Sequence, residues 1–112
     1  MNHREMAMAR IPVTLYKDDP EQTPTPAEWH EIWCARNPAG EWVLCERHGW
    51  WDNDKKQAHF NVPILSEPFK TEKEANDAVD ARIKRLEGEG WIHKFTTTID
   101  YYACRIIPHR IP

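Results

Sequence analysis

The sequence has few of the residues that most often reveal a function. Its four glycines do not cluster after any strand pattern, which excludes a glycine-rich phosphate-binding loop. Its three cysteines form no C-x-x-C pair, and no disulfide scheme uses all three, so the sequence favours a reducing, cytoplasmic compartment. No stretch approaches the roughly 18 consecutive apolar residues of a membrane-spanning helix. We therefore expect no membrane partner.

The sequence also lacks a strong charge of either sign. Fifteen lysines and arginines against eighteen acidic residues give a formal net charge of −3 and a pI near 6. A dedicated nucleic-acid-binding domain usually has a basic patch and a high pI instead. The length of 112 residues is that of one domain. We predict a single domain over residues 1–112, with a flexible start over residues 1–9.

One amphipathic helix is predicted within residues 69–91. Thr71 and Glu74 have the spacing of a capping box, in which each side chain satisfies a backbone N–H at the helix start. Gly88 and Gly90 supply the stop. Five apolar residues recur at helical spacing on one face: Ala75, Ala78, Val79, Ile83 and Leu86. A helix with one apolar face must cover another apolar surface.

The clearest β-hairpin is predicted over residues 29–49. Residues 37–40, Asn-Pro-Ala-Gly, suit a type I turn that ends with a left-handed glycine. The preferred register pairs Glu31 with Arg47, because a slip of one residue would oppose Glu31 and Glu46. In this register one face carries Trp29, Trp33, Ala35, Val43 and Cys45, and the other carries Ile32, Cys34, Trp42 and Leu44. Both faces of the hairpin are therefore substantially apolar.

Shorter strand patterns surround this hairpin, at residues 10–16, 59–65 and 91–107. Pro63 interrupts or ends the second of these patterns, and the third predicts one long strand or two short ones. The polar residues 17–28 and 50–57 are predicted to be loops. Pro12 places the first strand at a sheet edge or marks its start. The order β-ββ-(β)-α-β predicts an α+β fold, in which an antiparallel sheet of four to five strands has one helix packed on one face. One helix covers one side, so the other is expected to be exposed or covered by a second copy.

Cysteine and histidine occur close together in the hairpin, as Cys34 and Cys45-x-x-His48, with His30 and His59 nearby. Thiolate and imidazole are the ligands that zinc prefers. The preferred register directs the two cysteines to opposite faces, however, and burial in a core is the ordinary outcome for a free cysteine. We expect no metal and no cofactor.

The sequence also argues against a cysteine enzyme. Such an enzyme needs a thiolate made reactive by a neighbouring base or a helix N-terminus. Cys34, Cys45 and Cys104 instead alternate with apolar residues, as core positions do. No pair of carboxylates has a spacing suited to acid–base chemistry. We predict a protein without catalytic residues.

Residues 50–56, WWDNDKK, combine adjacent aromatic rings with cations. Tryptophan is enriched where proteins bind their partners, and aromatic rings beside lysines also suit bases and phosphates. The segment is not a calcium loop, because it lacks the later ligands and the loop glycine. Loops often carry function, so this one is a candidate site. The predicted binding residues are Trp42, Trp50, Trp51, Lys55, Lys56 and His59.

Three functional hypotheses follow from these patterns. The first is a small non-catalytic binding or regulatory module, which uses an aromatic-rich sheet face including Trp42 to form a homodimer or to bind a partner protein. The second is single-stranded nucleic-acid binding through residues 50–56 and His59. The third is a small-ligand-binding protein or enzyme with a pocket between helix and sheet, because an apolar pocket lining looks like core in a sequence.

Overall fold

A long antiparallel hairpin is the centre of the structure. The computed structural model describes residues 12–19 and 26–93, and it describes the backbone of residues 97–100 and 105–108. The strands are β1 Val13–Tyr16, β2 Glu28–Arg36, β3 Trp42–Asp52, β4 Gln57–Phe60, β5 Ile64–Leu65, β6 Ile92–His93, β7 Thr97–Asp100 and β8 Arg105–Pro108, and helix α1 spans Glu72–Gly88. The predicted flexible residues 1–9 lie outside the described residues.

The strands form one antiparallel sheet in the order β4-β3-β2-β1-β6, with β5 pairing beside β4 along the same edge of β3. Strands β7 and β8 pair in a separate two-stranded sheet. Helix α1 packs on the larger sheet, mainly against β2 and β3. This confirms the predicted α+β fold, with six strands in the larger sheet in place of four to five. The described part of the chain has no helix that is long and apolar enough to cross a membrane.

The hairpin of β2 and β3 has the predicted register. Glu31 lies opposite Arg47, and the two side chains are joined by a 3.0 Å ion pair. Asn37 closes the turn, because its N–H donates to the carbonyl of Glu41 at 2.9 Å and its Oδ1 accepts from Glu41 N–H at 2.9 Å. Gly40 has φ = 81°, a left-handed conformation in which a side chain would be strained. Local turn chemistry therefore fixes this register.

Helix α1 starts as predicted, with one difference. Thr71 Oγ1 accepts a hydrogen bond from Glu74 N–H at 3.1 Å, as an N-cap does. The carboxylate of Glu74 accepts from the N–H of Lys70 at 3.1 Å, one residue before the partner that a capping box requires. At the other end Gly90 has φ = 101° and stops the helix, whereas Gly88 is its last residue.

The cap gives a first stability prediction. Thr71→Ala removes the oxygen that accepts from Glu74, so we expect the free energy of unfolding to fall by about 1 kcal/mol in a urea titration. Thr71→Ser keeps that oxygen and is the matched control, with a loss well below that of the alanine variant. Equal losses in the two variants would show that the methyl group of Thr71, rather than its hydroxyl, matters.

The helix covers the hairpin face that carries Ile32, Cys34, Trp42 and Leu44. Its buried residues, Ala75, Val79, Ile83 and Leu86, pack on Val13, Leu15, Ile32, Cys34 and Trp42. On the opposite face Tyr16 and Trp29 are buried, with Trp51, Ala58 and Phe60 packed against them. Val43 and Cys45 on that face are only 2% and 4% exposed. Both faces therefore contain buried residues, which corrects the expectation of one uncovered apolar face.

Three predicted segments differ from the structure. Residues 50–52 are the end of β3 rather than part of a loop, because they pair with β4, and the turn between these strands is residues 53–56. The strand predicted over residues 59–65 begins earlier, at Gln57, and is interrupted at residues 61–63, which include Pro63, as one of its two predicted alternatives; its two parts are β4 and β5. The region 91–107, predicted as one long strand or two short ones, contains three short strands, and its residues 94–96 and 101–104 lie outside the described residues. The first strand begins directly after Pro12, as one of its two predicted alternatives.

Candidate functional site

Three histidines and two tryptophans form a continuous surface on the helix side of the sheet, beyond the end of α1. We call this surface the histidine–tryptophan row, and it consists of His30, His48, Trp50, His59 and Trp91. All five residues are half-buried. The row brings three imidazoles and two indoles into contact on one half-buried surface, and it is therefore the candidate site.

The sheet register places the row. His30 of β2 lies directly opposite His48 of β3, and Trp50 of β3 lies opposite His59 of β4. Alternate residues of a strand share one face, so His48 and Trp50 point to the same side. Trp91 follows α1, whose last turn is closed by a 3.0 Å hydrogen bond from Trp91 N–H to the carbonyl of Leu86. The helix end thus brings a second indole to the row.

The rings of the row contact one another closely. Trp50 lies nearly parallel to both His48 and His59, with centroid distances of 5.8 and 5.5 Å and interplanar angles of 25° and 20°. These two distances lie in the range of favourable aromatic pairs. Trp91 stands edge-on to His30 at 4.3 Å. The five rings therefore hold one another in place, and their half-buried surfaces are open to a partner.

Each histidine of the row lies beside a carboxylate. His48 Nε2 is 3.1 Å from Glu28 Oε1, and His59 Nε2 is 3.4 Å from Asp52 Oδ2. His30 Nδ1 is 3.2 Å from Glu46 Oε2, close enough for an ion pair although the atoms are not aligned as a hydrogen bond. The row is thus bordered by three acidic side chains.

Two of these carboxylates also have cationic partners. Lys17 Nζ donates to Glu28 Oε2 at 2.7 Å, and this hydrogen bond is the main reason that the pKa of Glu28 is lowered. Arg82 of α1 binds both oxygens of Glu46, from Nε at 2.6 Å and from Nη2 at 3.0 Å. Burial alone would raise the pKa of Glu46, but the contacts with His30 and Arg82 outweigh it and lower that pKa to about 2. Glu46 is therefore a carboxylate at neutral pH.

The third carboxylate belongs to the β3–β4 turn. Asp52 Oδ1 accepts from the backbone N–H groups of Lys55 and Asp54 at 3.1 and 2.9 Å, and the hydrogen bond from Lys55 contributes most to the lowering of the pKa of Asp52. Lys56 has φ = 54°, an uncommon conformation for a residue with a side chain, which tightens this turn. The side chains of Lys55 and Lys56 are exposed at its tip.

The structure separates the six predicted binding residues. It brings Trp50 and His59 together in the row, with Lys55 and Lys56 in the turn next to them. Trp51 points to the opposite face, where it packs against the buried pair of Tyr16 and Trp29. Trp42 is only 8% exposed, because it lies under α1 in the core with the guanidinium of Arg36 over its ring. Trp42 is therefore on the covered face of the sheet.

Several residues of the site were not predicted from the sequence. His30 and His48 appear in the sequence as metal-ligand candidates, and nothing identifies Glu28, Glu46 or Trp91 as their neighbours. One of these contacts follows from the predicted register of the hairpin, because that register places His30 directly opposite His48. Trp91 reaches the row from the helix end, and no local pattern indicates that contact.

Two of the three cysteines, Cys34 and Cys45, belong to the described residues, and both are buried. Burial, with a further contribution from Cys34, raises the pKa of the Cys45 thiol and keeps it protonated. Cys34 Sγ lies 3.4 Å from Asn76 Oδ1, an amide rather than a base. The two cysteines lie on opposite faces, as the register predicts. Within the described ranges, no group of three histidine, cysteine or acidic residues is placed to hold a metal ion.

A pocket does lie between helix and sheet, as the third hypothesis requires. Its volume is about 250 Å³, and it is lined by Leu44, Glu46, Ile64, Leu65, Ser66 and Arg82. Pockets for drug-sized ligands usually measure roughly 300–1,000 Å³. This pocket is small and suits a single side chain better than a cofactor.

Comparison of the chain with protein-family models, with curated proteins and with solved structures gave no match. The geometry of the histidine–tryptophan row therefore provides the functional argument.

Proposed function

We propose that this protein is a non-catalytic binding module that holds a partner protein on the histidine–tryptophan row. The observation that supports the proposal is the set of half-buried aromatic rings beyond the end of α1, where Trp50 and Trp91 are partly open to solvent. Tryptophans that are partly open on a fixed sheet are the residues most enriched at the centres of protein interfaces. Because the rings are already packed together, little side-chain entropy is lost on binding.

The same geometry favours a protein over a single-stranded nucleic acid. Bases bind such surfaces by stacking on the flat face of an aromatic ring, whereas the Trp50 indole already has two imidazoles beside it, those of His48 and His59. Three carboxylates border the row: Glu28, Glu46 and Asp52. Glu28 and Glu46 already occupy the nearby cations Lys17 and Arg82. Lys55 and Lys56 lie in the turn rather than in the row, so the row itself offers no lysine to a phosphate. A partner that contributes apolar groups and hydrogen-bond donors fits this surface better.

Trp50→Ala is the variant that tests the proposal. Proteins from a lysate of the source cells that bind the immobilised chain are identified, and the dissociation constant of each purified candidate is measured. We expect Trp50→Ala to weaken the partner's binding at least about tenfold, the effect of a tryptophan at an interface hot spot. The far-ultraviolet circular dichroism of the variant has to match that of the wild type.

Lys84→Ala, on the exposed side of α1, is the matched control and should bind like the wild type. A partner whose affinity is the same for Trp50→Ala and wild type would contradict the proposal. The nucleic-acid alternative is tested with mixed single-stranded oligonucleotides at low salt, where phosphate contacts are strongest. Binding there that Trp50→Ala abolishes would replace our proposal with that alternative.

A further inference from the structure

Three large apolar side chains are exposed next to one another on the edge of the sheet. Val62, Ile64 and Leu65 are 85%, 73% and 52% exposed, and we call these three residues the apolar edge. Residues 61–66, Asn-Val-Pro-Ile-Leu-Ser, contain no charged side chain. Scattered surface leucines are normal, but a contiguous apolar patch usually marks an interaction surface. The apolar edge shares no residue with the histidine–tryptophan row, although Ile64 lies opposite Glu46, which borders the row. The inference drawn from the edge does not rest on the function proposed above.

The backbone of the apolar edge also has unused hydrogen-bonding capacity. Leu65 lies opposite Cys45 of β3, and the N–H of the next residue, Ser66, donates to the carbonyl of Leu44 at 2.9 Å. In an antiparallel ladder the bonded pairs alternate, so the N–H and C=O of Leu65 point away from β3. Among the described residues no strand pairs with β5 on that side.

Monomeric proteins usually protect such an edge. The common devices are charged side chains, above all lysine, together with proline, bulges and short strands. This edge is short and has Pro63, but it has no charge, and its side chains are apolar on both faces of the sheet. Its short length and Pro63 limit how many residues can pair, and its uncharged, apolar side chains suit a partner that is apolar as well.

The pocket beside the apolar edge suggests what covers it. Ile64 lies on the helix side of the sheet, where it is 73% exposed and itself contributes to the lining of the 250 Å³ pocket. The rest of that lining is Leu44, Leu65 and Ser66, together with the ion pair of Glu46 and Arg82. The same small surface thus offers a protruding apolar side chain and a cavity of side-chain size. Surfaces that contain both partners of a contact are self-complementary, as interfaces with two-fold symmetry require.

We propose that a second copy of this chain covers the apolar edge, with the two β5 strands paired antiparallel across a two-fold axis at Leu65. In this register Leu65 lies opposite Leu65 of the second copy and exchanges both backbone hydrogen bonds with it. Ile64 lies opposite Ser66 of the second copy, beside the pocket that Ser66 lines. Pro63 lacks an N–H, so the ladder is short and apolar contacts hold most of the interface.

The first test is the mass in solution across a concentration series, by light scattering coupled to size exclusion. We expect the wild type to approach twice 13.3 kDa as the concentration rises. Ile64→Asp places a charge in the interface and should keep the mass at 13.3 kDa throughout. Gln57→Asp adds the same charge on β4 of the same sheet edge, outside the patch, and should dimerise like the wild type.

The second test fixes the register. Leu65→Cys, made together with Cys104→Ser, should form a disulfide-linked dimer under mild oxidation, because bonded antiparallel partners have Cα atoms about 5.5 Å apart. Cys34 and Cys45 are buried and remain in all variants. Val62→Cys in the same background is the control: its position is more exposed, yet the register places it far from its own counterpart.

The proposal is overturned by a wild type that stays monomeric at every concentration, or by an Ile64→Asp variant that dimerises as the wild type does. Equal rates of cross-linking for the Leu65 and Val62 variants would also overturn it, because random collisions favour the more exposed thiol. Circular dichroism of Ile64→Asp separates a lost interface from a lost fold. An unchanged spectrum with a monomer mass supports the proposed interface.

Discussion

Gly49→Ala is expected to lower the free energy of unfolding by about 3–5 kcal/mol, a large share of the stability of a small domain. Gly49 lies directly opposite Trp29 in the hairpin, and the indole lies across its backbone. A Cβ added at Gly49 would be 2.5 Å from Cε2 and 2.6 Å from Nε1 of Trp29. Real Cβ atoms do not approach other atoms so closely, so the indole would have to move.

The indole has little room to move. Trp29 is fully buried, its Nε1–H donates to Glu31 Oε2 at 2.9 Å, and its ring meets Phe60 edge-on at 5.9 Å. Overpacking a core costs about 1–3 kcal/mol, and a lost hydrogen bond to a charged group adds about 1.5–3 kcal/mol. The expected loss combines these two costs.

Gly88→Ala is the matched control, measured by the same urea titration. Gly88 is the last residue of α1, and an added Cβ there meets no atom within 4 Å. Alanine favours a helix over glycine by up to about 1 kcal/mol, so this variant should be as stable as the wild type or slightly more so. A comparable loss in both variants would mean that backbone freedom, rather than the contact with Trp29, determines the effect.

A double variant isolates the contact. Trp29→Phe shortens the ring that would clash with an alanine at position 49. We therefore expect Trp29→Phe with Gly49→Ala to be less destabilised than the sum of the two single changes. Additive losses would contradict the close approach of the two residues.

The sequence predicts the register around Gly49 but not the contact that Gly49 makes with Trp29. The turn at residues 37–40 and the opposed charges at Glu31 and Glu46 act locally, so they determine the register of the hairpin before any tertiary contact is known. The sequence pattern, however, predicts that the hairpin ends at Gly49, whereas β3 continues to Asp52. A glycine inside a strand can instead mark the close approach of another group, and which group approaches depends on the ring across the ladder.

The predicted end of β3, at Gly49, is wrong for a related reason, since the strand continues to Asp52. Trp50 and Trp51 precede the polar residues 52–57, a composition that is typical of a loop. Strand β3 continues through them because Trp50 pairs with His59, a contact with a strand that the sequence only weakly indicates. Adjacent strand residues point to opposite faces, so the two tryptophans end in different clusters. The presence of two adjacent tryptophans in the sequence does not by itself predict that they lie on opposite faces of the sheet.

The candidate site was predictable in part. Trp50 and His59 belong to one continuous segment and were predicted together. Glu46 and Trp91 join them from the middle of β3 and from the end of α1, which requires the helix to be placed on the correct face of the sheet. Both faces of the hairpin are apolar in sequence, so that choice depends on the complete packing of the core. The sequence also does not predict that Ile64 is exposed, because an apolar residue in a strand pattern is normally buried.

Arg82→Met is expected to lower the free energy of unfolding by about 3 kcal/mol near neutral pH. Arg82 joins α1 to β3 by binding both oxygens of Glu46, whose side chain is 15% exposed. Removing one partner of a buried ion pair leaves an uncompensated charge, at a cost of about 3–5 kcal/mol. We expect the lower end of this range, because 31% of the Arg82 side chain is exposed.

The loss should depend on pH in a definite direction. The folded-state pKa of Glu46 is about 2, below its ordinary value of 4.5. A lowered pKa means that the carboxylate contributes stability above about pH 4.5 and that this contribution is lost as the pH falls toward 2. The difference in unfolding free energy between wild type and Arg82→Met should therefore be largest above pH 4.5 and should narrow below it.

Lys73→Met is the matched control, because Lys73 forms a 2.8 Å ion pair with Asp77 on the exposed side of the same helix. The side chains of that pair are 83% and 63% exposed, so solvent screens it and we expect no measurable change in a urea titration. A loss in Arg82→Met that stays constant from neutral pH down to about pH 3 would contradict the charge argument. In that case the methylene groups of Arg82, which lines the same pocket as Leu44, would hold the helix to the sheet by apolar contact instead.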